Sequence, residues 1–304
     1  EVVSSDPSNP VQGQVWYNTT TGTVKGASVT TVGSWSTGGS LNTARGQFTG
    51  SGSQTSALIY GGTTGSETAI TESYDGTSWT EVNDLNTARR LLAGAGSQTS
   101  TLAFGGFSPA ISTTAITESW NGTSWTEVAD LNTARFQPGS SGVDNTSILA
   151  FGGSANPPYV TVTESWNGSS WTEVNDLNSA RSGGGSTGTL TSALFYGGES
   201  PTVAVTESWN GTSWTSTTSM NTARYGMGSG GSNNTSALGF GGGDPYFSVT
   251  EEWNGSAWTE VADLSTARTQ LASAGTTSAA LASGGSTGSD SVATEEWNGA
   301  GSPV

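Results

Sequence analysis

The chain of 304 residues contains no cysteine and no histidine. Without cysteine, disulfide bonds and thiol chemistry are excluded. Without histidine, the commonest metal ligand and general base is missing. A calcium site would have to draw on Asp144, Asn145 or Asp244, yet no Asp-x-Asp-x-Asp loop is present. We therefore expect a protein that is not an enzyme and that holds no cofactor and no metal.

Basic residues are scarce as well. The chain has eight lysines and arginines in total and 24 acidic residues, which gives a net charge of −16. Binding to phosphate groups requires clustered lysine and arginine, so we expect neither nucleic acid nor an anionic membrane as a partner. The sequence has no run of eighteen or more apolar residues, which argues against membrane insertion.

A short motif recurs along most of the sequence. Leu41-Asn42-Thr43-Ala44-Arg45 returns five more times with small changes. A period in the forties indicates an array of identical supersecondary units. The arginines of the six copies are Arg45, Arg89, Arg135, Arg181, Arg224 and Arg268.

The second unit shows the internal pattern of a repeat. Residues 90–96 read as a strand of small residues, and residues 100–106 as an apolar strand that ends in a glycine pair. Residues 115–120 alternate between apolar and polar, which is typical of a half-buried strand. Asn121-Gly122 predicts a type I′ hairpin turn that leads into residues 124–128. Four short antiparallel strands per repeat are typical of a propeller blade.

Regularly placed tryptophans predict how the array closes. Trp79, Trp125, Trp171, Trp214 and Trp258 mark the fourth strand in five repeats. The sixth repeat stops after Trp297, where its fourth strand should begin. At the other end of the chain, Trp35 stands at the same distance before Leu41 as Trp79 does before Leu85. We predict an all-β, six-bladed propeller of four-stranded antiparallel blades, in which residues 33–39 complete the last blade. The tryptophans could serve as sugar-stacking platforms, but their regularity favours packing between blades.

The residues in this pattern resemble kelch-repeat β-propellers. The resemblance rests on a glycine pair that ends the second strand, an aromatic residue on the third and a tryptophan on the fourth, and it covers about residues 33–299. It implies four-stranded blades with binding loops on one face. The copper oxidases of that family need cysteine and histidine, so their activity is not expected here. The glycine pairs are Gly61-Gly62, Gly105-Gly106, Gly152-Gly153, Gly197-Gly198, Gly241-Gly242 and Gly284-Gly285.

Residues 1–32 differ from the repeats. They form a turn-rich segment with one predicted strand, and they include Gly13-Gln14-Val15-Trp16-Tyr17-Asn18. This segment is similar to parts of bacteriophage tail-fibre and other virion structural proteins. We expect a tether or linker over residues 1–32 and a propeller domain over residues 33–304.

Each repeat also has a glutamate on its third strand. One interpretation makes the repeated arginines an anion-binding ring. The favoured one pairs each arginine with a glutamate, or with carbonyl groups of the turn between blades, as part of the architecture. The glutamates are Glu72, Glu118, Glu164, Glu207, Glu251 and Glu295.

The loops that follow the glycine pairs vary while the rest of the repeat stays constant. They carry four aromatic residues without a counterpart in every repeat, namely Phe107, Tyr159, Tyr246 and Phe247. Variable loops on a constant scaffold suggest a recognition surface, although drift in unconstrained loops is an equal alternative. These four residues are the predicted ligand-binding residues.

Together these features predict a non-enzymatic virion appendage, or a comparable extracellular module, that recognises a host-surface glycan or protein. Other virion or surface-assembly proteins are expected partners, and a homo-oligomer is an option. One alternative is a purely structural subunit of a tail or surface assembly. The other is a polysaccharide-degrading enzyme, which would use the unrepeated acids Asp144, Glu199, Asp244 or Asp290.

Overall fold

The computed structural model describes residues 2–5, 15–26, 33–199 and 201–299. All helix or strand structure in these ranges is β-strand. The strands form six antiparallel four-stranded sheets, one three-stranded sheet and one two-stranded sheet. Within the described residues, no helix has the length and the apolar character needed to cross a membrane. The chain is therefore an all-β protein built from repeated four-stranded sheets.

The strands follow one another in chain order. The three-stranded sheet consists of β1 (Val2–Val3), β2 (Val15–Asn18) and β3 (Thr23–Gly26). The first four-stranded sheet consists of β5 (Thr49–Ser53), β6 (Ser56–Tyr60), β7 (Thr71–Tyr74) and β8 (Trp79–Val82). The second consists of β9 (Ala93–Ser97), β10 (Ser100–Phe104), β13 (Thr117–Trp120) and β14 (Trp125–Val128). Between β10 and β13 lies the two-stranded sheet of β11 (Phe107–Ser108) and β12 (Ser112–Thr113).

The remaining sheets repeat the pattern. The third consists of β15 (Gly139–Gly142), β16 (Ile148–Phe151), β17 (Thr163–Trp166) and β18 (Trp171–Val174). The fourth consists of β19 (Gly185–Thr189), β20 (Ser192–Tyr196), β21 (Thr206–Trp209) and β22 (Trp214–Thr217). The fifth consists of β23 (Gly228–Asn233), β24 (Ser236–Phe240), β25 (Thr250–Trp253) and β26 (Trp258–Glu260). The sixth consists of β27 (Ala272–Gly275), β28 (Ala279–Ser283), β29 (Thr294–Asn298) and β4 (Ser34–Thr37).

The strand from the N-terminal part of the chain completes the sixth sheet. Trp35 pairs with Trp297 and Thr37 with Glu295 in the antiparallel register of β4 and β29. The other five sheets take their fourth strand from the same repeat as their third. The last sheet therefore joins two distant parts of the chain and leaves β29 without an exposed edge.

The first strands of neighbouring sheets contact one another in sequence. Contacts join β5 to β9, β9 to β15, β15 to β19, β19 to β23, β23 to β27, and β27 to β5. Small residues allow this approach, because a Cβ added at Gly50 in β5 would lie 2.6 Å from the carbonyl oxygen of Ser273 in β27. The succession of contacts returns to the strand from which it started.

A cycle of backbone hydrogen bonds lies just before these first strands. Six residues, each two positions after a repeat arginine, have φ between 50° and 65°. The N–H of each donates to the carbonyl of its counterpart in the preceding sheet at 2.6–3.0 Å, and Gln47 donates to Gln270. The cycle consists of Gln47, Leu91, Gln137, Gly183, Gly226 and Gln270.

The fourth-strand tryptophans form a second cycle of hydrogen bonds. The indole N–H of Trp125 donates to Thr71 Oγ1 of the first sheet at 3.2 Å, and its ring meets Tyr60 edge-on at a centroid distance of 4.9 Å. Each tryptophan therefore packs against the preceding sheet. The other five bonds join Trp35 to Thr250, Trp79 to Thr294, Trp171 to Thr117, Trp214 to Thr163, and Trp258 to Thr206.

The repeated arginines lie buried against the third-strand glutamates. Arg89 Nη1 lies 2.8 Å from Glu118 Oε1, while Glu118 Oε2 accepts hydrogen bonds from the backbone and side-chain amides of Asn86. Burial lowers the pKa of Arg135 to about 10, and the charge of Glu164 opposes that shift. The glutamate thus holds the turn that enters its own sheet. The other pairs are Arg45–Glu72, Arg135–Glu164, Arg181–Glu207, Arg224–Glu251 and Arg268–Glu295.

The prediction of type I′ turns at Asn-Gly was wrong. Trp120 pairs with Trp125, so four residues rather than two connect β13 and β14. Gly122 has a φ of 92°, within the left-handed region, whereas Asn121 does not. Instead, Asn121 Oδ1 accepts hydrogen bonds at 2.9 Å from the backbone N–H groups of Thr123 and Ser124. Asparagine is needed here as a side-chain acceptor that closes the turn.

Residues before β4 hold more strand structure than predicted. Three strands are present where the sequence predicted one, with β1 parallel and β3 antiparallel to β2. Asn18 Oδ1 accepts hydrogen bonds from the N–H groups of Thr20 and Thr21, and Gly22 takes a φ of 67°. These contacts close the turn that pairs β2 with β3. Residues 1, 6–14 and 27–32 of the predicted tether, and residues 200 and 300–304 of the predicted propeller domain, lie outside the described residues.

Candidate functional site

One end of the six sheets carries both the arginine turns and the loops that follow the glycine pairs. We call this end the loop face. In each sheet the residue after the arginine forms a backbone pair or hydrogen bond with the first residue after the glycine pair. The residue after the arginine is different in all six sheets, and only serine recurs at the other position, so the six pairs are all different. They are Gly46–Thr63, Arg90–Phe107, Phe136–Ser154, Ser182–Glu199, Tyr225–Gly243 and Thr269–Ser286.

A central cavity of about 220 Å³ opens among the first strands. The residues of the backbone cycle surround it, and Gln47, Gln137 and Gln270 supply amide side chains there. Leu91, Gly183 and Gly226 supply none, whereas Ser186, Thr187 and Ser229 of the fourth and fifth sheets add hydroxyl groups to the lining.

Two of the four predicted ligand-binding residues are exposed. Tyr159 is 37% exposed and Tyr246 is 40% exposed, and each lies in the loop after a glycine pair. A backbone bridge to Ser154 fixes the position of Tyr159. Both side chains can contact a large partner.

The other two predicted residues are half-buried. The Phe107 ring lies beneath the Arg90 guanidinium at 5.0 Å from centroid to Cζ, and β11 holds its backbone. The Phe247 ring packs so closely on Gly243 that an added Cβ would lie 2.2 Å from Cδ2. Among the aromatic contacts of the described residues, none joins two of the four predicted residues. The four residues lie in the loops that follow the glycine pairs, but their side chains do not come together.

The structure instead brings Tyr159 together with residues of two further sheets. Burial raises the pKa of Tyr225, and the charges of Glu199 and Asp244 and the nearby Tyr159 add to that shift. Burial and the charge of Glu199 likewise raise the pKa of Tyr159. Four side chains from the third, fourth and fifth sheets thus interact electrostatically. We call Tyr159, Glu199, Tyr225 and Asp244 the tyrosine–acid cluster.

Glu199 is the most enclosed acid of the cluster. Its Oε1 lies 3.4 Å from the hydroxyl of the buried Ser182, which also lies 3.5 Å from Gln137 Oε1. Burial raises the pKa of Glu199, and the Ser182 hydroxyl opposes the shift. The carboxylate therefore has incomplete solvation and keeps capacity to accept further hydrogen bonds.

Arg90 is the basic residue of the loop face that lies outside the repeated arginines in residues 33–199 and 201–299. Its Nε lies 3.1 Å from Glu67 Oε1, and its Nη1 donates to Gln47 Oε1 at 3.1 Å. With Phe107 below it, the guanidinium is tied to the first and second sheets. It belongs to a different part of the loop face from the tyrosine–acid cluster.

The unrepeated acids do not all form one site, because Asp144 lies apart from Glu199 and Asp244 of the tyrosine–acid cluster. Asp144 lies in the turn between the first and second strands of the third sheet, where its Oδ1 accepts from Thr146 N and Oγ1. Asp244 lies on the loop face, at the opposite end of the sheets. Across the described ranges, no three acidic side chains converge as a metal site would require. Asp144, Asn145 and Asp244 therefore cannot share one calcium ion.

Tyr225 is not among the residues predicted from the sequence. The residue directly after each repeat arginine begins the predicted first strand, although its identity changes in every repeat. That variation beside a constant motif was the available signal. The residues at this position are Gly46, Arg90, Phe136, Ser182, Tyr225 and Thr269.

Comparison with known proteins identifies the fold. Solved structures with a similar fold include that of YjhT, a β-propeller, with a TM-score of 0.68 and 14% sequence identity. The match covers 86% of this chain and 96% of YjhT. No family model and no curated protein matches the chain. The chain therefore has the fold of a β-propeller, and the low identity limits the comparison to the fold.

Proposed function

We propose that the six four-stranded sheets are the blades of one closed six-bladed propeller of the kelch type. Three observations support closure: the succession of contacts between first strands, the backbone hydrogen-bond cycle, and the cycle from tryptophan to threonine. Each returns to its starting sheet after six steps. The glycine pair and the two aromatic positions in the repeats support the kelch assignment.

Our proposal for function is recognition without catalysis. The propeller serves as a virion appendage similar to a tail fibre, or as a comparable extracellular module, and it binds a host-surface glycan or protein. The observation that carries the proposal is the contrast on the loop face. Buried arginine–glutamate pairs repeat six times beneath it, whereas the two residues paired above them form a different combination in every sheet. Diverse side chains on a rigid frame are suited to recognising one partner.

A glycan array and binding to intact host cells test this function. The wild-type protein should bind a defined set of surface glycans or a surface protein, and Tyr159→Ala and Tyr246→Ala should weaken that binding. Asp144→Asn is the matched control, because Asp144 lies at the opposite end of the sheets. Absence of wild-type binding to both glycans and cells would refute the proposal.

A purely structural role is the second candidate, and one surface favours it. Val2, Tyr17 and Val24 are directly paired across the three-stranded sheet and are 71%, 41% and 71% exposed. An exposed apolar patch of this kind is typical of a contact with another protein. Tyr17→Ser would then prevent incorporation into particles, while leaving any binding to host cells unchanged.

A polysaccharide-degrading enzyme is the third candidate. Its support is the raised pKa of Glu199, since a glycosidase acid needs such a shift and Asp244 lies in the same cluster. Release of reducing sugar by the wild type, abolished in both Glu199→Gln and Asp244→Asn, would establish this activity. We expect no release.

A further inference from the structure

In four sheets, the hairpin between the third and fourth strands carries an exposed asparagine followed by a glycine. These glycines have φ values of 91–93°. Within residues 33–199 and 201–299, no hydrogen bond engages their backbone N–H groups. Each glycine nitrogen is therefore available beside an exposed carboxamide, and no side chain shields it. We call these hairpins the asparagine turns, and their residues are Asn121-Gly122, Asn167-Gly168, Asn210-Gly211 and Asn254-Gly255.

Backbone donors converge on the carboxamide oxygen in every asparagine turn. Asn121 Oδ1 accepts hydrogen bonds from the N–H groups of Thr123 and Ser124 at 2.9 Å. The asparagines of the other three turns accept the equivalent pair of bonds at 2.9–3.0 Å. Two N–H donors at this distance form the arrangement that stabilises an oxyanion when a carbonyl carbon is attacked. Each turn can therefore stabilise negative charge that develops on Oδ1.

The first sheet shows that the same turn accommodates an aspartate. Asp75-Gly76 stands at the equivalent position, and Gly76 has a φ of 91°. Asp75 Oδ1 accepts from Thr77 N at 2.9 Å and from Ser78 N at 2.8 Å. Hydrogen bonds from the backbone N–H groups of Ser78 and Thr77 lower the pKa of Asp75. The turn therefore favours a charged carboxylate at the position where the other four sheets have a carboxamide.

We propose that the asparagine turns are sites of self-modification, at which the folded hairpin converts asparagine to aspartate. The glycine nitrogen attacks Cγ of the asparagine, so that a bond from this nitrogen to Cγ forms while the bond from Cγ to Nδ2 breaks. The proton of the glycine N–H leaves with Nδ2 as ammonia. A water molecule then opens the cyclic imide, so that Cγ gains the hydroxyl oxygen and the glycine nitrogen regains a proton. Each conversion adds a negative charge at the end of the sheets opposite the loop face.

The turn also determines which product forms. Opening of the imide at the backbone carbonyl would give isoaspartate, whose main chain runs through Cγ and no longer offers a side-chain oxygen to the two N–H groups. Opening at Cγ keeps both hydrogen bonds, as they are present at Asp75. We therefore expect aspartate as the main product in the folded protein. The unfolded chain lacks these bonds and should give a larger share of isoaspartate.

Two of the asparagine turns have an additional donor. Asn167 Oδ1 accepts from the Ser169 hydroxyl at 2.8 Å, and Asn254 Oδ1 accepts from the Ser256 hydroxyl at 2.8 Å. A third donor stabilises the charge on Oδ1 further. We therefore expect faster conversion at Asn167 and Asn254 than in the other two turns.

Asn298-Gly299 provides a reference inside the same molecule. Asn298 lies in β29, where it pairs with Ser34 rather than closing a hairpin. The N–H of Gly299 donates to the carbonyl oxygen of Ser278 at 2.9 Å. Its nitrogen is therefore engaged, and we expect the slowest conversion at Asn298.

Peptide mapping by mass spectrometry tests the proposal on the intact protein. Wild type and Ser169→Ala are incubated in mildly alkaline buffer, each with and without urea at a concentration that unfolds the chain. We expect the folded wild type to gain aspartate in the asparagine turns faster than the unfolded chain does. Ser169→Ala should slow conversion at Asn167 by about threefold or more, less than the loss of a donor costs in an enclosed site. Conversion at Asn254 in the same molecules should not change.

Each part of the proposal has an outcome that would overturn it. Conversion that is no faster in the folded protein than in urea, or equally fast at Asn298, would show that the turn does not promote the reaction. An unchanged rate at Asn167 in Ser169→Ala would contradict the role of the donors to Oδ1. Isoaspartate as the main product of the folded protein would contradict the product assignment. Asn121→Asp, which copies the first sheet, should keep the wild-type melting temperature, and a large drop would show that the turn does not accommodate the product.

Discussion

Trp35 and Trp297 lie side by side in the sixth sheet, with ring centroids 5.4 Å apart, although they come from opposite ends of the described chain. Their backbones pair directly, and the Trp35 indole also donates to Thr250 Oγ1 of the fifth sheet at 3.2 Å. One short strand thus completes the last sheet and attaches it to its neighbour. The stability of the whole array should depend on this strand.

Trp35→Ala should therefore destabilise the whole protein. We expect a loss of about 3 kcal/mol in the free energy of unfolding, since truncation of a large aromatic ring leaves a cavity and removes the bond to Thr250. Trp125→Ala, which changes the equivalent position inside the second sheet, is the comparator. Chemical denaturation followed by tryptophan fluorescence measures both. A wild-type midpoint for Trp35→Ala would show that β4 is dispensable.

The buried Arg135–Glu164 pair provides a second prediction. Arg135→Met should cost about 3–5 kcal/mol, because the carboxylate of Glu164 is left buried without a counter-charge. Adding Glu164→Gln to that variant should restore part of the loss. Urea denaturation of the single and double variants measures the coupling. An unchanged melting temperature for Arg135→Met would contradict the structural role of the repeated arginines.

Glu199 predicts a dependence of stability on pH. Burial raises the pKa of Glu199, so the folded protein binds this proton more tightly than the unfolded chain does. The resulting stabilisation is present below the ordinary carboxyl pKa and is lost as pH rises through the raised value. Glu199→Gln should therefore melt above the wild type at neutral pH, and the difference should shrink as pH falls to about 4. Thermal melts of both proteins across this range measure it, with Glu127→Gln as the control for an exposed glutamate. A difference that grows on acidification would contradict the assignment.

Tyr74 replaces the tryptophan that the other third strands carry, and it makes a bond they lack. Its hydroxyl donates to Glu296 Oε1 of the sixth sheet at 2.6 Å. Tyr74→Phe should cost about 1.5–3 kcal/mol, since a hydrogen bond to a charged group is removed. In a Glu296→Ser background the same change should cost much less. Equal costs in both backgrounds would show that this bond between the sixth and first sheets does not contribute to stability.

Much of the architecture could be predicted from the sequence because the repeat exposes it. Repeated residues such as Trp125 and Arg89 contact other repeated residues, so the pattern of one repeat predicts the contacts of all six. The place of Trp35 in the sixth sheet could be predicted by counting the fourth-strand tryptophans of the repeats. The Asn121 turn was misjudged because Asn-Gly suits both a two-residue turn and a four-residue turn closed by the asparagine side chain.

The candidate site was harder to predict for a physical reason. Tyr159, Glu199 and Tyr225 belong to three different repeats, and their proximity depends on how neighbouring sheets are rotated about the cavity. The sequence pattern of a single repeat carries no information about that rotation. The exposure of individual side chains was equally hard to predict, because Phe107 packs under Arg90, a residue that lies 17 positions earlier in the chain.

Recognition of the partner by the loop face can be located by hydrogen–deuterium exchange of the intact protein, with and without the oligosaccharide that it binds best on the array. We expect protection in residues 154–160, 182–199 and 225–247, with exchange in residues 143–147 at the opposite end unchanged. Protection confined to the turns at that opposite end, or to residues 15–26, would contradict it.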